Sequence, residues 1–493
     1  MTRYSTKTNL IASLGLVVLA VIHIVIFADI LSNFPIEHDS ANRLRGYIDN
    51  NNVVSSIIAK DLCIALIAFF LTLFMVGWLE FNGHLAKSQK IIIYTGSALS
   101  ALLAVFIYPI MSHDIFNYIS YGRILGFFGL SPYETTLEKY LADPVISEFP
   151  MDWADLTAPY GPIAIFSFAG LNILSKPEPI ALLTTFKIFL FIIYIGSFTL
   201  AYWLTSKVNV KLPTASLFAY FGNPCVIYML LIDGHIDGLI IFFLLLCFIS
   251  LYCNRHIMSW LALGGLCCIK VTMLPLIPLF AAQIFKQPKK EHLSAIAVFI
   301  GLIVFCYLIT AGGEIKAIYD LTHNINVISR IESFGPIPQL ISRFLQNAPL
   351  TISCELTHDP ELVSMTRKIS TGLIFLTLFA IYLTHLLKGS QQTIIVSAGF
   401  ILLVMAFSGL WYMPWYVLWG WILLLFSPLP LILRFCIVMS GTSLIMIHSF
   451  GNHCKASSVF FICVFLTLLT WLLSKYISTK FCRTADQDKP GCI

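Results

Sequence analysis

Continuous apolar runs dominate this chain, and most are long enough to cross a lipid bilayer as an α-helix. A spanning helix needs about 20 mostly apolar residues. The sequence is 58% hydrophobic and only 11% charged, whereas a charged fraction of about 25% is typical of soluble domains. This balance excludes an ordinary soluble protein, a disordered chain and a nucleic-acid-binding protein. The unbroken runs also lack the alternation of a membrane β-barrel. The sequence therefore predicts an all-α, polytopic transmembrane helical bundle of about 12–13 spans.

The positions of lysine and arginine predict how the bundle is oriented in the membrane. Basic residues concentrate in the short segments between apolar runs, and such residues favour cytoplasmic loops. We therefore expect both termini in the cytoplasm, and three long segments outside, at 34–54, 112–179 and 311–364. The predicted spans are 9–31, 55–79, 91–111, 180–205, 213–232, 237–253, 258–285, 292–310, 366–387, 393–410, 415–433, 435–448 and 458–475.

Two apolar segments do not fit a simple crossing. Residues 258–285 begin and end beside basic loops and contain Lys270, Pro275 and Pro278. We expect a broken helix or a short hairpin there, buried against protein. Residues 161–174 are apolar but too short to span, which predicts an extracytoplasmic juxtamembrane helix at the interface. No soluble domain or repeat interrupts the pattern, so residues 1–493 are predicted to form one transmembrane domain.

The segment 111–162 contains the strongest candidate for a catalytic group. Asp114 follows the third predicted span, and Asp114, Asn117, Tyr118 and Tyr121 have the spacing of one helix face. A carboxylate at the membrane–water boundary with hydrogen-bonding neighbours can serve as a general base. Arg123, close by, offers a planar fork for a phosphate. The alternative is an interfacial cap whose polar side chains simply face water.

Two further polar groups are candidates for substrate binding. Trp153 lies between Asp152 and Asp155. This pattern suits stacking on a sugar ring with carboxylates at its hydroxyls, although a Trp anchored at the interface has the same appearance. Asp233, His235 and Asp237 lie in a Gly-bounded turn between two apolar runs. They are candidates to bind a metal ion or a substrate hydroxyl, unless the segment is only a tight polar turn.

Cations and aromatic residues complete the candidate set. Lys270 lies well inside an apolar run, where a cation is costly and is by default a functional candidate. Arg330, in the third outer segment, offers another cation for a phosphate, although surface arginines are common. The aromatic cluster that includes Trp411, Tyr412 and Trp415 exceeds what an interfacial belt requires. It predicts a groove for a prenyl chain or for sugar rings.

The absence of several sequence motifs argues against some classes of membrane protein. The sequence has no P-loop, no Arg-rich voltage-sensor helix and no potassium-channel filter. The polar residues of interest concentrate near the outer face, whereas secondary transporters bind substrate near the middle of the membrane. No Cys/His cluster has zinc spacing. We therefore assign no metal ligands and expect no cofactor, and the sequence leaves metal dependence open.

The string HDIFNYISYGRILGFFGLSPYE at 113–134, followed by PYGP at 159–162, resembles the C superfamily of membrane glycosyltransferases (GT-C). It is most similar to the polyprenol-phosphate-mannose-dependent α-1,6-mannosyltransferases of bacterial envelopes. The residues that match this pattern, in order, are Asp114, Tyr118, Gly122, Arg123, Pro132, Tyr133, Tyr160, Gly161 and Pro162. Weaker motifs at Asn223–Pro224, at His235 and Asp237, at Lys270 and at Trp411–Trp415 extend the resemblance over about residues 90–420.

The resemblance implies a GT-C fold, a sugar donor on a polyprenyl phosphate, no nucleotide, and a glycan or glycolipid acceptor. Asp114 would deprotonate the acceptor hydroxyl, the lipid phosphate would leave, and a β-linked donor would give an α-linked product. The setting would be a bacterial plasma membrane, with the active site on its extracytoplasmic face. The candidate ligands of the donor phosphate are Arg123, Lys270 and Arg330. The candidates for other substrate contacts are Tyr118, Tyr133, Asp152, Tyr160, His235, Asp237, Trp411, Tyr412 and Trp415.

One departure from the family and two other classes of function remain. More than one span precedes Asp114, whereas many GT-C enzymes have their catalytic acid after the first, so Glu37, Asp39 and Asp49 are alternative bases. A lipid-linked glycan polymerase or ligase would also use outer loops with Arg and His. A transporter or flippase of lipid-linked sugars would need a polar path through the helices, for which the candidates are Lys270 and, near the end of a predicted span, Lys60 and Asp61.

Overall fold

The computed structural model describes residues 6–36, 51–150, 153–208, 210–286, 290–310, 336–346, 360–390, 393–408, 413–427, 429, 434, 437–438 and 441–442. These residues form helices joined by turns and loops, and they contain no β-strand beyond a single isolated bridge. The predicted all-α class is confirmed.

The α-helices, in chain order, are α1 (Thr6–Asn33), α2 (Asn51–Phe81), α3 (Lys87–Val105), α4 (Asp114–Gly126), α5 (Pro162–Leu174), α6 (Pro179–Val208), α7 (Pro213–Phe221), α8 (Pro224–Ile227), α9 (Asp237–Tyr252), α10 (His256–Cys267), α11 (Ile277–Lys286), α12 (Lys290–Thr310), α13 (Pro336–Leu345), α14 (Pro360–Lys388), α15 (Ile394–Ser408) and α16 (Val417–Leu425). A π-helical turn, Tyr228–Ile232, extends α8. Short 3₁₀ helices lie at Leu137–Tyr140, Ile146–Glu148, Val271–Leu276 and Pro414–Tyr416.

Five helices in the described part of the chain, α1, α2, α3, α6 and α14, are long and apolar enough to cross a membrane. The pair Pro213–Phe221 and Pro224–Ile232, bent by 45° at the break between them, forms a sixth candidate. Shorter apolar helices occupy several other predicted spans. The predicted spans 435–448 and 458–475 lie largely or wholly outside the described residues, so the total of 12–13 stays a prediction.

The outer surface of the long helices is apolar. On α1, the side chains of Leu10, Ile11, Leu14 and Val18 are each more than half exposed. In water such a stripe would be unfavourable, but in a bilayer the lipid tails are its natural neighbours. The chain is therefore an integral membrane protein.

The segment 106–113, which we call the strap, connects α3 to α4 and so determines where Asp114 lies. Helix α3 ends at Val105, six residues before the end of the predicted span. Pro109 has no N–H and disfavours helix in the residue before it, which explains the early end. The strap instead pairs with the end of α1, because Tyr108 N donates to Phe34 O (2.9 Å) and Ile36 N donates to Phe106 O (3.0 Å).

Helices α4 and α5 pack closely against each other. A Cβ atom at Gly122 would overlap the carbonyl oxygen of Phe168, so the close approach requires glycine. Helix α5 corresponds to the predicted short apolar segment 161–174, and it begins with Pro162, which suits the first turn. Its inner face is buried at Ile165 and Phe168, while Leu174 at its end is exposed.

The predicted break in 258–285 is confirmed. Helix α10 ends at Cys267, Lys270 adopts an extended conformation, and a 3₁₀ helix containing Pro275 precedes α11. The break frees the carbonyl groups of Cys268 and Ile269, and the start of α5 satisfies both. Gly161 N donates to Ile269 O (2.9 Å), and Ile163 N donates to Cys268 O (3.0 Å). Irregular backbone is thus buried against protein, as a membrane setting requires.

Candidate active site

A cavity of about 200 Å³ lies where the start of α4, the helix break and the segment before α16 meet. Aromatic and apolar side chains form most of its wall, and polar groups enter it from different elements. The lining residues are Asp114, Asn117, Tyr118, Tyr121, Trp153, Leu156, Pro159, Tyr160, Lys270, Val271, Thr272, Met413, Trp415 and Tyr416. A cavity of this character is the usual form of a small-molecule site.

Asp114 and its helix face line one side of this cavity, as the spacing predicts. Asp114 is the first residue of α4, where the positive end of the helix dipole favours a carboxylate. Tyr118 OH lies 3.5 Å from Asp114 Oδ2. Tyr121 is fixed by donating a hydrogen bond to the carbonyl oxygen of Leu156 (3.1 Å). The Asp114 side chain retains 18% exposure, so it remains accessible from the cavity.

His235 lies directly behind Asp114. Its Nδ1 is 3.4 Å from Asp114 Oδ2, and its ring stacks on Trp415 with centroids 3.7 Å apart. The turn that carries His235 is possible because Gly234 has a positive φ of 72° and because Ile115 on α4 leaves no room for a side chain there. The whole turn is buried rather than exposed, with His235 fully enclosed.

Lys270 enters the cavity from the helix break. Its ammonium lies 4.0 Å from the ring centroid of Tyr416 and 5.0 Å from that of Trp419, in cation–π geometry. It is also 3.7 Å from Asp237 Oδ1. The indole Nε1 of Trp419 donates to the same oxygen (2.8 Å), which fixes the carboxylate. The cation is therefore held facing the cavity by one carboxylate and two aromatic faces.

The loop that contains Tyr160 closes the cavity beside Asp114. Tyr133 OH donates to the carbonyl oxygen of Tyr160 (2.9 Å), so Tyr133 supports this loop from outside the cavity. The Tyr160 ring meets Tyr118 edge to face at 5.1 Å. Burial, together with the nearby Asp114 carboxylate, raises the pKa of Tyr160 well above its ordinary value. Tyr160 therefore stays protonated and can donate a hydrogen bond.

Arg123 does not reach the cavity. Its Nε and Nη2 donate to the two carboxylate oxygens of Asp143 (2.7 and 2.8 Å), and both side chains are about 6% exposed. Burial alone would raise the pKa of Asp143, but the hydrogen bonds from Arg123 and from the N–H groups of Ile146 and Val145 outweigh it and lower that pKa. This bidentate pair corrects the expectation that Arg123 holds a donor phosphate. An acidic run by composition alone indicates a solvated loop, whereas Asp143 stabilises the fold of this one.

Several predicted residues lie outside the described part of the chain. They are Asp152, Arg330, Trp411 and Tyr412, and also the alternative bases Glu37, Asp39 and Asp49. Among the described residues, no three His, Cys, Asp or Glu side chains come together as a metal site. The structure brings together Asp114, Tyr118, Tyr160, His235, Asp237, Lys270 and Trp415.

Sequence reasoning missed one charged residue near this site, Lys187, and predicted a different contact for another, Asp233. Lys187, in the first third of α6, and Asp233, at the end of α8 and its π-turn, are both buried. The signal was present for Lys187, because a charge inside a predicted span is by default a functional candidate. Asp233 belongs to the predicted polar turn, but its Oδ1 accepts from the backbone N–H groups of Ile110 and Met111, a contact distant in sequence that the local pattern does not show.

Comparison with known protein families gives one match. A family model described as alpha-(1->6)-mannopyranosyltransferase, N-terminal domain, matches residues 36–286, which is just over half of the chain. The matched region contains Asp114, His235, Asp237 and Lys270, and so covers the polar part of the cavity. No curated protein sequence matches the chain. The chain belongs to the alpha-(1->6)-mannopyranosyltransferase family.

Proposed function

We propose that this protein transfers a mannosyl residue from a polyprenyl-phosphate donor to a glycan or glycolipid acceptor, with inversion at the anomeric carbon. One observation carries the proposal. A carboxylate, Asp114, and an ammonium, Lys270, enter the same cavity of about 200 Å³ from different elements. A base for a hydroxyl and a cation for a phosphate are the two charges that such a displacement needs.

Asp114 is the proposed general base. The acceptor oxygen attacks the anomeric carbon as Asp114 removes its proton, and the bond from that carbon to the phosphate oxygen breaks. The electron pair leaves with the lipid phosphate, and the proton later passes from Asp114 to water through the open cavity. His235 orients the carboxylate, because its ring is fixed by stacking on Trp415 and lies 3.4 Å from Asp114 Oδ2.

Lys270 is the proposed ligand of the donor phosphate. Its ammonium faces the cavity and is already desolvated by Tyr416 and Trp419. A phosphate that arrives there gains a charge-assisted contact in a site of low dielectric. The charge on the leaving lipid phosphate is stabilised by the same contact, so the proposed step uses no cofactor.

The aromatic wall suits the other parts of the substrates. Trp153, Trp415 and Tyr416 line the cavity, and flat aromatic faces pack well on the apolar face of a sugar ring or on a prenyl chain. The donor is a membrane lipid, and the chain is a membrane protein. We place the reaction on the extracytoplasmic face of a bacterial plasma membrane, with both termini cytoplasmic, because basic residues concentrate in the other set of loops.

The test uses purified protein in detergent with a synthetic β-linked polyprenyl phosphomannose and an α-mannoside acceptor. We expect a product longer by one mannose, with an α-(1→6) linkage by NMR, and no product from a nucleotide-linked mannose. Asp114→Asn is the matched control, because the amide nearly keeps the size of the side chain but cannot take the proton. Positioned proton removal contributes about 10²–10⁴-fold in rate, so transfer should fall by that factor.

Four results would contradict the proposal. A β-linked product would exclude the single inverting displacement. Activity with a nucleotide donor alone would exclude the lipid-phosphate donor. Full turnover by Asp114→Asn would move the base to another residue, and transfer of a preassembled glycan block would instead indicate a polymerase or ligase.

A further inference from the structure

Lys187 connects two chain segments that carry site residues. It lies in the first third of α6, and its side chain is fully buried. Its ammonium donates hydrogen bonds to the carbonyl oxygen of Ile107, in the strap, and to that of Ile232 (3.1 Å), at the end of the π-turn. The strap leads to Asp114, and Ile232 leads to His235.

Asp233 makes the second connection between the same two segments. Its Oδ1 accepts hydrogen bonds from the backbone N–H groups of Ile110 and Met111, each at 3.1 Å. The strap is therefore held at two places, by its carbonyl at Ile107 and by its N–H groups at 110 and 111. Asp233 lies two residues before His235, and Lys187 binds next to the turn at the carbonyl oxygen of Ile232.

The contact between Asp114 and His235 depends on this arrangement. Asp114 follows Met111 by three residues, and His235 follows Asp233 by two. A shift of the strap relative to the turn would change the separation of 3.4 Å between Asp114 Oδ2 and His235 Nδ1. A separation of this kind is sensitive to sub-ångström displacement of either segment.

Stability alone explains these residues poorly. A charge within a spanning helix is costly, and so is taking any charged side chain out of water into a protein interior. Lys187 and Asp233 are nevertheless buried in the bundle, and their hydrogen bonds go to the backbone of the two segments that carry Asp114 and His235. Fixing these segments relative to each other accounts for both residues.

We propose that Lys187 and Asp233 are positioning residues of the transferase, which hold the strap and the His235 turn in the register that aims Asp114. This inference rests on the proposed function, in which Asp114 is the base. Neither residue lines the cavity, so neither is expected to bind donor. Their loss should lower kcat and leave the KM for the donor nearly unchanged.

Lys187→Met is the first variant, because methionine keeps much of the length and removes the donor group. A misplacement of about 1 Å at a reacting group costs about 10²-fold in rate, so we expect kcat to fall about 100-fold. Tyr194→Phe is the matched control on the same helix. Tyr194 OH donates to the carbonyl oxygen of Phe221, away from the strap. This variant should lose thermal stability but keep kcat per folded molecule.

Asp233 provides a test by conservative rescue. The amide in Asp233→Asn keeps an oxygen that can accept from Ile110 N and Met111 N, whereas Asp233→Leu keeps none. We expect kcat to fall much less in Asp233→Asn than in Asp233→Leu at the same folded fraction. Equal kcat in the two variants would overturn the role of these hydrogen bonds.

Hydrogen exchange tests, without relying on activity, whether Lys187 and Asp233 hold the strap in place. In Lys187→Met the amides of Ile110 and Met111 should exchange faster than in the wild type, while Tyr194→Phe should leave them unchanged. Unchanged protection, or unchanged kcat per folded molecule, would overturn the proposal. If the wild type shows no mannosyl transfer, the proposed function fails, and the exchange rates still decide whether Lys187 holds the strap.

Discussion

Replacing Lys270 with methionine should weaken donor binding, because the Lys270 ammonium is a cation that the structure aims into the cavity. It lies over Tyr416 at 4.0 Å and 3.7 Å from Asp237 Oδ1. A charge-assisted hydrogen bond is worth about 1.5–3 kcal/mol. That range corresponds to an affinity for the lipid phosphate that is about 10- to 150-fold lower. The acceptor, which carries no phosphate at the reacting end, should bind nearly as before.

The single variant also disturbs the fold, so a second variant is needed. Without Lys270, Asp237 is a buried carboxylate that has lost its cation, and breaking a buried pair costs about 3–5 kcal/mol. In the double variant Lys270→Met/Asp237→Asn the amide oxygen still accepts from Trp419 Nε1, and the unpaired charge is gone. We expect this double variant to recover thermal stability and to keep the loss of donor affinity.

The assay is calorimetric titration of purified protein with polyprenyl phosphate, which has the phosphate and the chain but no sugar. Lys139→Met is the control, because Lys139 is an exposed cation in the segment between α4 and α5 and does not line the cavity. Its affinity should match that of the wild type. Wild-type affinity in the double variant would refute the assignment of Lys270 to the phosphate.

Two further substitutions test the packing that supports the site. Gly122→Val should lower the melting temperature, because a Cβ atom there overlaps the carbonyl oxygen of Phe168 and overpacking costs about 1–3 kcal/mol. Gly170→Ala is the control and should be tolerated, because a Cβ atom there would have no neighbouring atom within 4 Å. Asp143 has a lowered pKa in the folded protein, so its contribution to stability is complete above the unfolded pKa of about 3.9 and is lost as the pH falls below it. Thermal melts between about pH 3 and pH 7 should show a weaker acid-side decline in Asp143→Asn than in the wild type, and parallel curves would contradict this reasoning.

The local sequence pattern predicted the parts of the site that lie on one helix face or at the break in one apolar run. The spacing of Asp114, Tyr118 and Tyr121 identified the face that lines the cavity, because helical periodicity is a local property. Two prolines and Lys270 in one apolar run identified the helix break for the same reason. These features follow from a few neighbouring residues and need no knowledge of the tertiary fold.

Partners distant in sequence were not predictable in this way. Arg123 carries the geometry that suits a phosphate, but it equally suits a carboxylate, and the fold brings Asp143 to it. The turn at His235 looks like a solvated loop by composition, yet it is buried because α4 and Trp415 cover it. Composition determines what a side chain can bind, whereas packing determines which partner reaches it.

The helix break explains why the Tyr-Gly-Pro motif and Lys270 belong to one functional unit despite their separation in the sequence. A broken helix in a membrane leaves carbonyl groups that must find donors within the protein. Here Gly161 N and Ile163 N supply them, at Ile269 O and Cys268 O. A Cβ atom at Gly161 would overlap the carbonyl oxygen of Cys268, so this contact itself requires glycine. The backbone that turns Lys270 toward the cavity therefore also fixes the residue before Gly161, and a change at either segment should disturb both walls of the cavity together.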